Sequence, residues 1–167
     1  NLHRFQDLVY SEDADIVCVN ETWFNHTIDN HEVLHNGYII YRKDRSEQRA
    51  GGVLIALKTE VFKSVREVSL LENLQDLEIV SATVTTATDQ KILFCSCYRP
   101  ESDAKWATLF NNFLDFACDK FENIVICGDF NFAKIPWDAP DCASGTKELL
   151  FVDSLNDHFL TQLNRKP

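Results

Sequence analysis

The sequence predicts an α/β chain, α+β in the arrangement of its elements, with stacked sheets flanked by helices. Three observations carry this expectation. Short apolar runs rich in β-branched residues recur along the chain, each bounded by polar turn signals, as strands are. Two of them, Leu77 to Thr86 and Ile92 to Tyr98, are joined by the turn Thr88-Asp89-Gln90 and read as a hairpin. Stretches of helical period open the chain and separate later strands, so hairpin connections stand beside helical crossovers. That mixed order suits packed sheets with helices outside them better than a simple doubly wound sheet.

The elements follow in order. Leu2, Phe5, Leu8 and Val9 recur at helical spacing, which predicts an amphipathic helix over residues 2 to 11. Ile16 to Val19 is an apolar run of strand length, followed by the polar break Asn20-Glu21-Thr22-Trp23. His26 to Asn36 reads as loop, and Tyr38 to Tyr41 as a short strand. A charged excursion, Arg42 to Arg49, is closed by Gly51-Gly52 before the strand Val53 to Leu57. Val61 to Val68 partly alternates and fits a half-exposed strand. The hairpin comes next, and Arg99-Pro100 stops it because proline removes a ladder donor. Ser102 or Asp103 is placed to cap a helix running to about Lys120, with Trp106, Leu109, Phe110, Phe113, Leu114 and Phe116 on its buried side. Ile124 to Cys127 reads as a strand buried on both faces. Phe132 to Ser144 is a loop marked by Pro136 and Pro140, and a last helix spans about Thr146 to Asp157.

Composition sets the outer limits. A chain of 167 residues with 45% hydrophobic content and twelve Phe is expected to form one domain, residues 1–167, around a real core. No apolar run approaches the roughly 20 residues of a membrane span, and Asn1 to Phe5 does not open a signal peptide. The absence of methionine leads us to expect a piece of a longer protein. Cys18, Cys95, Cys97 and Cys127 lie inside apolar runs, where a free thiol acts as a small hydrophobe, and no Cys-x-x-Cys pair suggests zinc. A reducing, intracellular setting is expected from this usage. The net charge of −10 runs against nucleic-acid binding by charge alone. Phosphates would have to be met through metal ions, a local basic patch or segments outside this chain.

The chemistry concentrates at strand ends. Asp129 and Asn131 follow the Ile124 strand through Gly128. They are two apart, so in an extended chain both side chains point the same way. Glu21 follows the Ile16 strand and Tyr98-Arg99 the Ile92 strand. If these strands lie side by side with their ends aligned, the side chains meet on one rim. Glu21 and Asp129 suit a hard cation such as Mg²⁺, which takes one or two carboxylates together with water and phosphate oxygens. Asp129 can alternatively orient or deprotonate an attacking water, Asn131 can fix the water or a phosphate, and Tyr98 can donate to a non-bridging oxygen.

Four motifs stand in order: Val19-Asn20-Glu21-Thr22-Trp23; Arg42 to Arg45 with Gly51-Gly52-Val53; Cys97-Tyr98-Arg99-Pro100; and Gly128-Asp129-Phe130-Asn131, trailed by Ile135-Pro136-Trp137-Asp138. Together they resemble the endonuclease domain of non-LTR retrotransposons of the Jockey and chicken-repeat type, within the endonuclease/exonuclease/phosphatase superfamily. The resemblance spans essentially the whole chain. It implies a four-layer α/β/β/α sandwich, incomplete here, and Mg²⁺-dependent (or Mn²⁺-dependent) nicking of DNA that leaves a 3′-hydroxyl to prime reverse transcription. By position, Glu21 matches the family's metal-binding Glu and Tyr98 its phosphate-contacting Tyr. Asp129 and Asn131 match the pair that positions nucleophile and phosphate. The implied partners are DNA and a fused reverse-transcriptase domain outside the chain, with no membrane, and the implied place of action is intracellular, in the nucleus for DNA.

The sequence also departs from the family. Its first-strand metal-ligand Asn has no match, since Asn1 falls too late. Its last catalytic Asp and Ser-Asp-His motif would lie beyond residue 167, and Asp157-His158 is not assigned in their place. The fragment is therefore expected to be inactive and of marginal solubility alone. Lys43, Arg42, Arg45 and Arg49 are candidates for phosphate contact or for a solvated loop. His26, His31 and His35 read as surface residues, and Trp23 and Trp137 as cleft walls, stacking platforms or core. Two further readings stand beside the nuclease: a phosphatase or phosphodiesterase acting on small phosphate esters, and a non-catalytic remnant or binding module.

Overall fold

The computed structural model describes residues 2–35, 37–45, 51–101, 105–137 and 145–164. The chain divides into two compact units, Asn1–Tyr98 with Phe121–Asp129, and Arg99–Lys120 with Phe130–Pro167. Among the described residues, the first contains helix α1 (Leu2–Ser11), the short helix α2 (Asn30–Val33) and seven strands. These are β1 (Ile16–Asn20), β2 (Tyr38–Lys43), β3 (Val53–Lys58), β4 (Ser64–Glu67), β5 (Ile79–Thr85), β6 (Lys91–Tyr98) and β7 (Ile124–Asp129). One sheet has the order β1-β3-β2 and the other β4-β5-β6-β7. All pairs are antiparallel except β6 with β7, which run parallel.

Strand β3 shows why the sheets stack. Val53, Leu54, Ile55, Ala56 and Leu57 are all fully buried, so the strand is covered on both faces. Because side chains alternate along a strand, Val53, Ile55 and Leu57 turn to one side and pack with Val80, Ala82 and Val84 of β5. Leu54 and Ala56 turn to the other side and pack with Val9 of α1, Val33, Leu34 and Ile40. The first unit is thus a helix on a sheet on a second sheet, three of the layers expected of the sandwich. Each fully buried Leu or Ile contributes about 1.5–3 kcal/mol relative to exposure.

Two local expectations change. The stretch read as loop, His26 to Asn36, contains α2. Asp29 accepts a hydrogen bond from the His31 amide at 2.8 Å, and Glu32 reaches back to the Asp29 amide at 2.9 Å. This capping box, written as Asp-x-x-Glu in the sequence, sustains a helix too short to show periodicity; Asn36 itself lies outside the described residues. Strand β7 is not buried on both faces: among the described residues it stands last in its sheet, and Val125 is 36% exposed. Apolar residues alone cannot distinguish a central strand from an edge strand covered on one side.

The second unit contains α3 (Trp106–Lys120) and α4 (Lys147–Asp157). The α3 capping candidates Ser102 and Asp103 lie outside the described residues, as do Asp138, Pro140 and Ser144 of the following loop. Trp106, Phe110, Phe113, Leu114 and Ala117 form the buried stripe of α3. Trp106 stacks on Phe110 at 4.5 Å between ring centroids, and Phe132 on Phe151 at 4.6 Å. Thr146 caps α4, its hydroxyl accepting from the Leu149 amide at 3.2 Å. His158 follows α4 and joins the two helices. Its Nδ1 lies 2.7 Å from the Ser154 carbonyl and its Nε2 3.0 Å from Asp115 of α3. A ring that donates from both nitrogens is the imidazolium form.

Burial pulls the His158 pKa down, but the Ser154 carbonyl and the Asp115 carboxylate outweigh it and leave the pKa above its ordinary value. A raised folded-state pKa means the stabilisation is complete below the unfolded value of about 6.5 and fades as pH rises through the folded one. Urea titrations should therefore show a larger stability gap between wild type and His158→Gln at about pH 5.5 than at about pH 9. A gap that holds constant or widens with pH would contradict this linkage.

Candidate active site

The site residues of the first unit are fixed by backbone geometry before side chains enter. Glu21 leaves β1 in the left-handed region, with φ 53°, and Trp23 repeats this at φ 56°. Such conformations cost a non-glycine residue on the order of 1–3 kcal/mol and persist only when neighbours hold them. Here the neighbours are the Gly51-Gly52 carbonyls. Gly52 accepts from the Thr22 amide at 3.2 Å, and Gly51 accepts from the Trp23 amide at 2.9 Å. Gly52 takes φ 89°, a conformation that favours glycine, and a Cβ there would lie 2.5 Å from the Thr22 hydroxyl. Asn20 adds a tie to the other sheet, donating from Nδ2 to the Cys97 carbonyl at 2.6 Å.

Held in this way, Glu21 meets Tyr98. The phenol donates to Glu21 Oε1 at 2.7 Å, a charge-assisted bond of the stronger kind. Asp129 ends β7 directly opposite Tyr98 in the parallel register of β6 and β7. The register depends on Gly128, where a Cβ would stand 1.8 Å from the Cys97 carbonyl oxygen. Cys18 of β1 and Cys127 of β7 are also in contact. Their hydrogen bond, with burial adding, pushes the Cys18 thiol far up, and it pulls Cys127 down to about 7 against its own burial.

Asn131 belongs to the second unit and is not extended. Strand β7 ends at Asp129 and Asn131 takes φ 51°, so the alternation argument for Asp129 and Asn131 does not apply. Asparagine is among the few residues that enter this region readily. Its Nδ2 donates to the Arg99 carbonyl at 2.7 Å, and Arg99 Nη1 returns bonds to the Phe130 and Asn131 carbonyls, both at 3.1 Å. The Arg99 guanidinium lies 4.1 Å from the Phe132 ring centroid. Arg99 thus frames the Asn131 turn, a role that its place beside Pro100 did not reveal.

The remaining candidates separate clearly. Arg42, Lys43 and Arg45 do not form a solvated loop. Arg42 donates to the Asn25 carbonyl at 3.2 Å and pairs with Asp44 at 3.3 Å. Lys43 donates to the Gln75 and Leu77 carbonyls, and burial holds its pKa below the ordinary value against the pull of Glu78 and Asp76. Arg45 pairs with Glu78, and Arg49 lies outside the described residues. His35 stacks on Tyr10 at 6.2 Å. Trp137 packs edge-on against Phe151 at 6.4 Å, whereas Trp23 is 61% exposed. Among the described residues no three His, Cys, Asp or Glu side chains gather in metal-holding geometry. The oxygen donors of Glu21 and Asp129 still fit a hard cation, which needs only one or two carboxylates beside water and phosphate.

The Gly128 contact has a direct consequence. Gly128→Ala should destabilise the protein by about 2–4 kcal/mol, because backbone rather than a movable side chain stands in the way. Tyr98→Phe, which removes one hydroxyl and leaves the ring, should cost about 0.5–3 kcal/mol. Urea unfolding midpoints measure both, and an unchanged midpoint for Gly128→Ala would refute the close approach.

Comparison with known proteins places the fold. The sequence profile of the Endonuclease/Exonuclease/phosphatase family matches residues 1–165. Over 74 residues, 42% of the chain, it is 30% identical to an uncharacterized calcium-binding protein of Arabidopsis thaliana, and the match spans 15% of that protein. Among solved structures, the endonuclease domain of TRAS1, a telomere-specific non-LTR retrotransposon, superposes with a TM-score of 0.69 at 13% identity, over 99% of this chain and 68% of that one. The Xenopus laevis APE2 catalytic domain gives 0.60 at 20% identity, covering 92% of this chain and 62% of that one. The 3′ phosphatase NExo from Neisseria, bound to product DNA hairpin, gives 0.64 at 18% identity, covering 94% and 65%. At such identities these structures share the fold. With its profile matched from end to end of the described residues, the chain belongs to the endonuclease/exonuclease/phosphatase family.

Proposed function

We propose that this chain carries part of the active site of a metal-dependent DNA endonuclease of retrotransposon type, one that nicks a strand by phosphodiester hydrolysis. The observation that carries the reading is the Tyr98–Glu21 hydrogen bond at 2.7 Å, with Asp129 opposite Tyr98 in register. Glu21 and Asp129 would hold Mg²⁺, or Mn²⁺ in its place. When bound, such a cation polarises a phosphoryl oxygen and stabilises charge on the leaving oxygen.

The chain's own residues supply the rest. Asp129 orients the attacking water and accepts its proton. The Tyr98 phenol, whose one proton goes to Glu21 in the free protein, would turn that proton to a non-bridging phosphate oxygen once Glu21 ligates the cation. Asn131 donates its amide to the water or to phosphate. With the net charge at −10, the field of the chain does not gather DNA, and recognition falls to the cation and to segments of a longer protein. The proposed partners are DNA and a reverse-transcriptase domain in the same polyprotein, acting in the nucleus.

A second reading is hydrolysis of small phosphate esters. It is favoured by the internal engagement of Arg42, Lys43 and Arg45, which leaves these cations poorly placed to follow a DNA backbone. Nicking of supercoiled plasmid by the naturally extended protein, with Mg²⁺ or with EDTA, tests both readings. Wild type should nick only with the metal, and Asp129→Ala should lose on the order of 10²–10⁴-fold. Folded protein that leaves plasmid intact but hydrolyses a small phosphate ester would select the second reading.

A further inference from the structure

We propose that Glu78 is the positioning residue of the Glu21–Tyr98 pair. The residue stands just before β5 and is 8% exposed. Its Oε2 accepts from Arg45 Nε at 3.0 Å and from Nη2 at 2.5 Å, and its Oε1 accepts from the Gly52 amide. Its carbonyl accepts from the Tyr98 amide at 2.9 Å. The Arg45 guanidinium, so held, lies 5.7 Å from the Tyr98 ring centroid, within range of a cation–π contact.

One residue therefore reaches both members of the pair. Toward Tyr98 it acts on the backbone through its main-chain carbonyl and on the ring face through its side chain's hold on Arg45. Toward Glu21 it acts through Gly52, whose carbonyl, with that of Gly51, clips the left-handed turn that carries the carboxylate. A buried ion pair is weak evidence for stability, since apolar replacements often serve as well. What this pair does supply is direction. The guanidinium is fixed by two bonds to one oxygen, and the phenol beneath it keeps the orientation that meets Glu21. The sequence gives a faint sign of this, an acid placed directly before an apolar strand.

The proposal rests on the reading of Glu21 and Tyr98 as the phosphate-handling pair, and its test separates the two. Protein labelled with 3-fluorotyrosine contains four reporters, and Tyr98→Phe identifies the Tyr98 fluorine resonance. In Glu78→Gln and in Arg45→Met that resonance should shift while those of Tyr10, Tyr38 and Tyr41 stay in place. For plasmid nicking by the same variants of the naturally extended protein, kcat should fall on the order of tenfold to a hundredfold with KM nearly constant. Arg45→Lys, which keeps the charge, should recover part of the loss.

An unmoved Tyr98 resonance in folded Glu78→Gln overturns the proposal, and so does a moved resonance with unchanged kcat. If Glu78→Gln does not fold, Arg45→Met decides by the same readouts, since the Arg45 side chain is 29% exposed and its loss opens no deep cavity. A resonance that moves while the naturally extended protein nicks no DNA, wild type included, supports the positioning of Tyr98 and overturns the nuclease reading alone.

Discussion

The backbones of β6 and β7 approach at Gly128 to a distance that leaves no room for a side chain. Much of the candidate site depends on that contact. It lets the parallel ladder run to its last rung, where Tyr98 and Asp129 face each other. It also leaves the Cys97 carbonyl within reach of Asn20, which fastens the end of β1 to β6. Only with β1 fastened does Glu21 meet the Tyr98 phenol. A single missing methyl group in one sheet thus propagates to a hydrogen bond that joins the two.

The site is assembled from strain and from ties that limit it. Glu21 and Trp23 hold unfavourable φ angles because the Gly51-Gly52 carbonyls occupy their amides. Asn131 holds its own because Arg99 engages both its side chain and its carbonyl. In each case a candidate site residue is held by a neighbour that takes no proposed part in the chemistry. This division suits a phosphoryl-transfer site, where placement of donors relative to developing charge dominates the chemistry. It also explains the use of Arg42, Lys43 and Arg45 inside the protein, where their charge serves geometry rather than attraction.

The sheets were legible in the sequence because burial leaves a compositional trace: β1, β3, β5 and β6 appear as apolar, β-branched runs close to their true limits. The α2 helix escaped because four residues carry no period, although Asp29 and Glu32 spelled its cap. The edge position of β7 escaped because Val125 is apolar whichever side it faces. At the site, Glu21, Tyr98 and Asp129 could be named from their places after strands. That Glu21 and Tyr98 touch follows from pairing between distant segments, which no local pattern encodes. Glu78 was missed for the same reason, as was the part Arg99 plays in holding Asn131, since their partners lie tens of residues away. The left-handed turn at Asn131 replaced the extended geometry that its spacing suggested.

The order β1-β3-β2 has a further consequence for how the protein comes into being. Strands β1 and β2 do not pair with each other, and both wait for β3 to leave the ribosome. Until that strand emerges, the apolar residues of α1, β1 and β2 lack the face of Leu54 and Ala56 that joins them in one core. Synthesis at about 5–20 residues per second makes that interval several seconds long, during which exposed strands can find the wrong neighbour. The first sheet is therefore committed late and at once, when its central strand arrives.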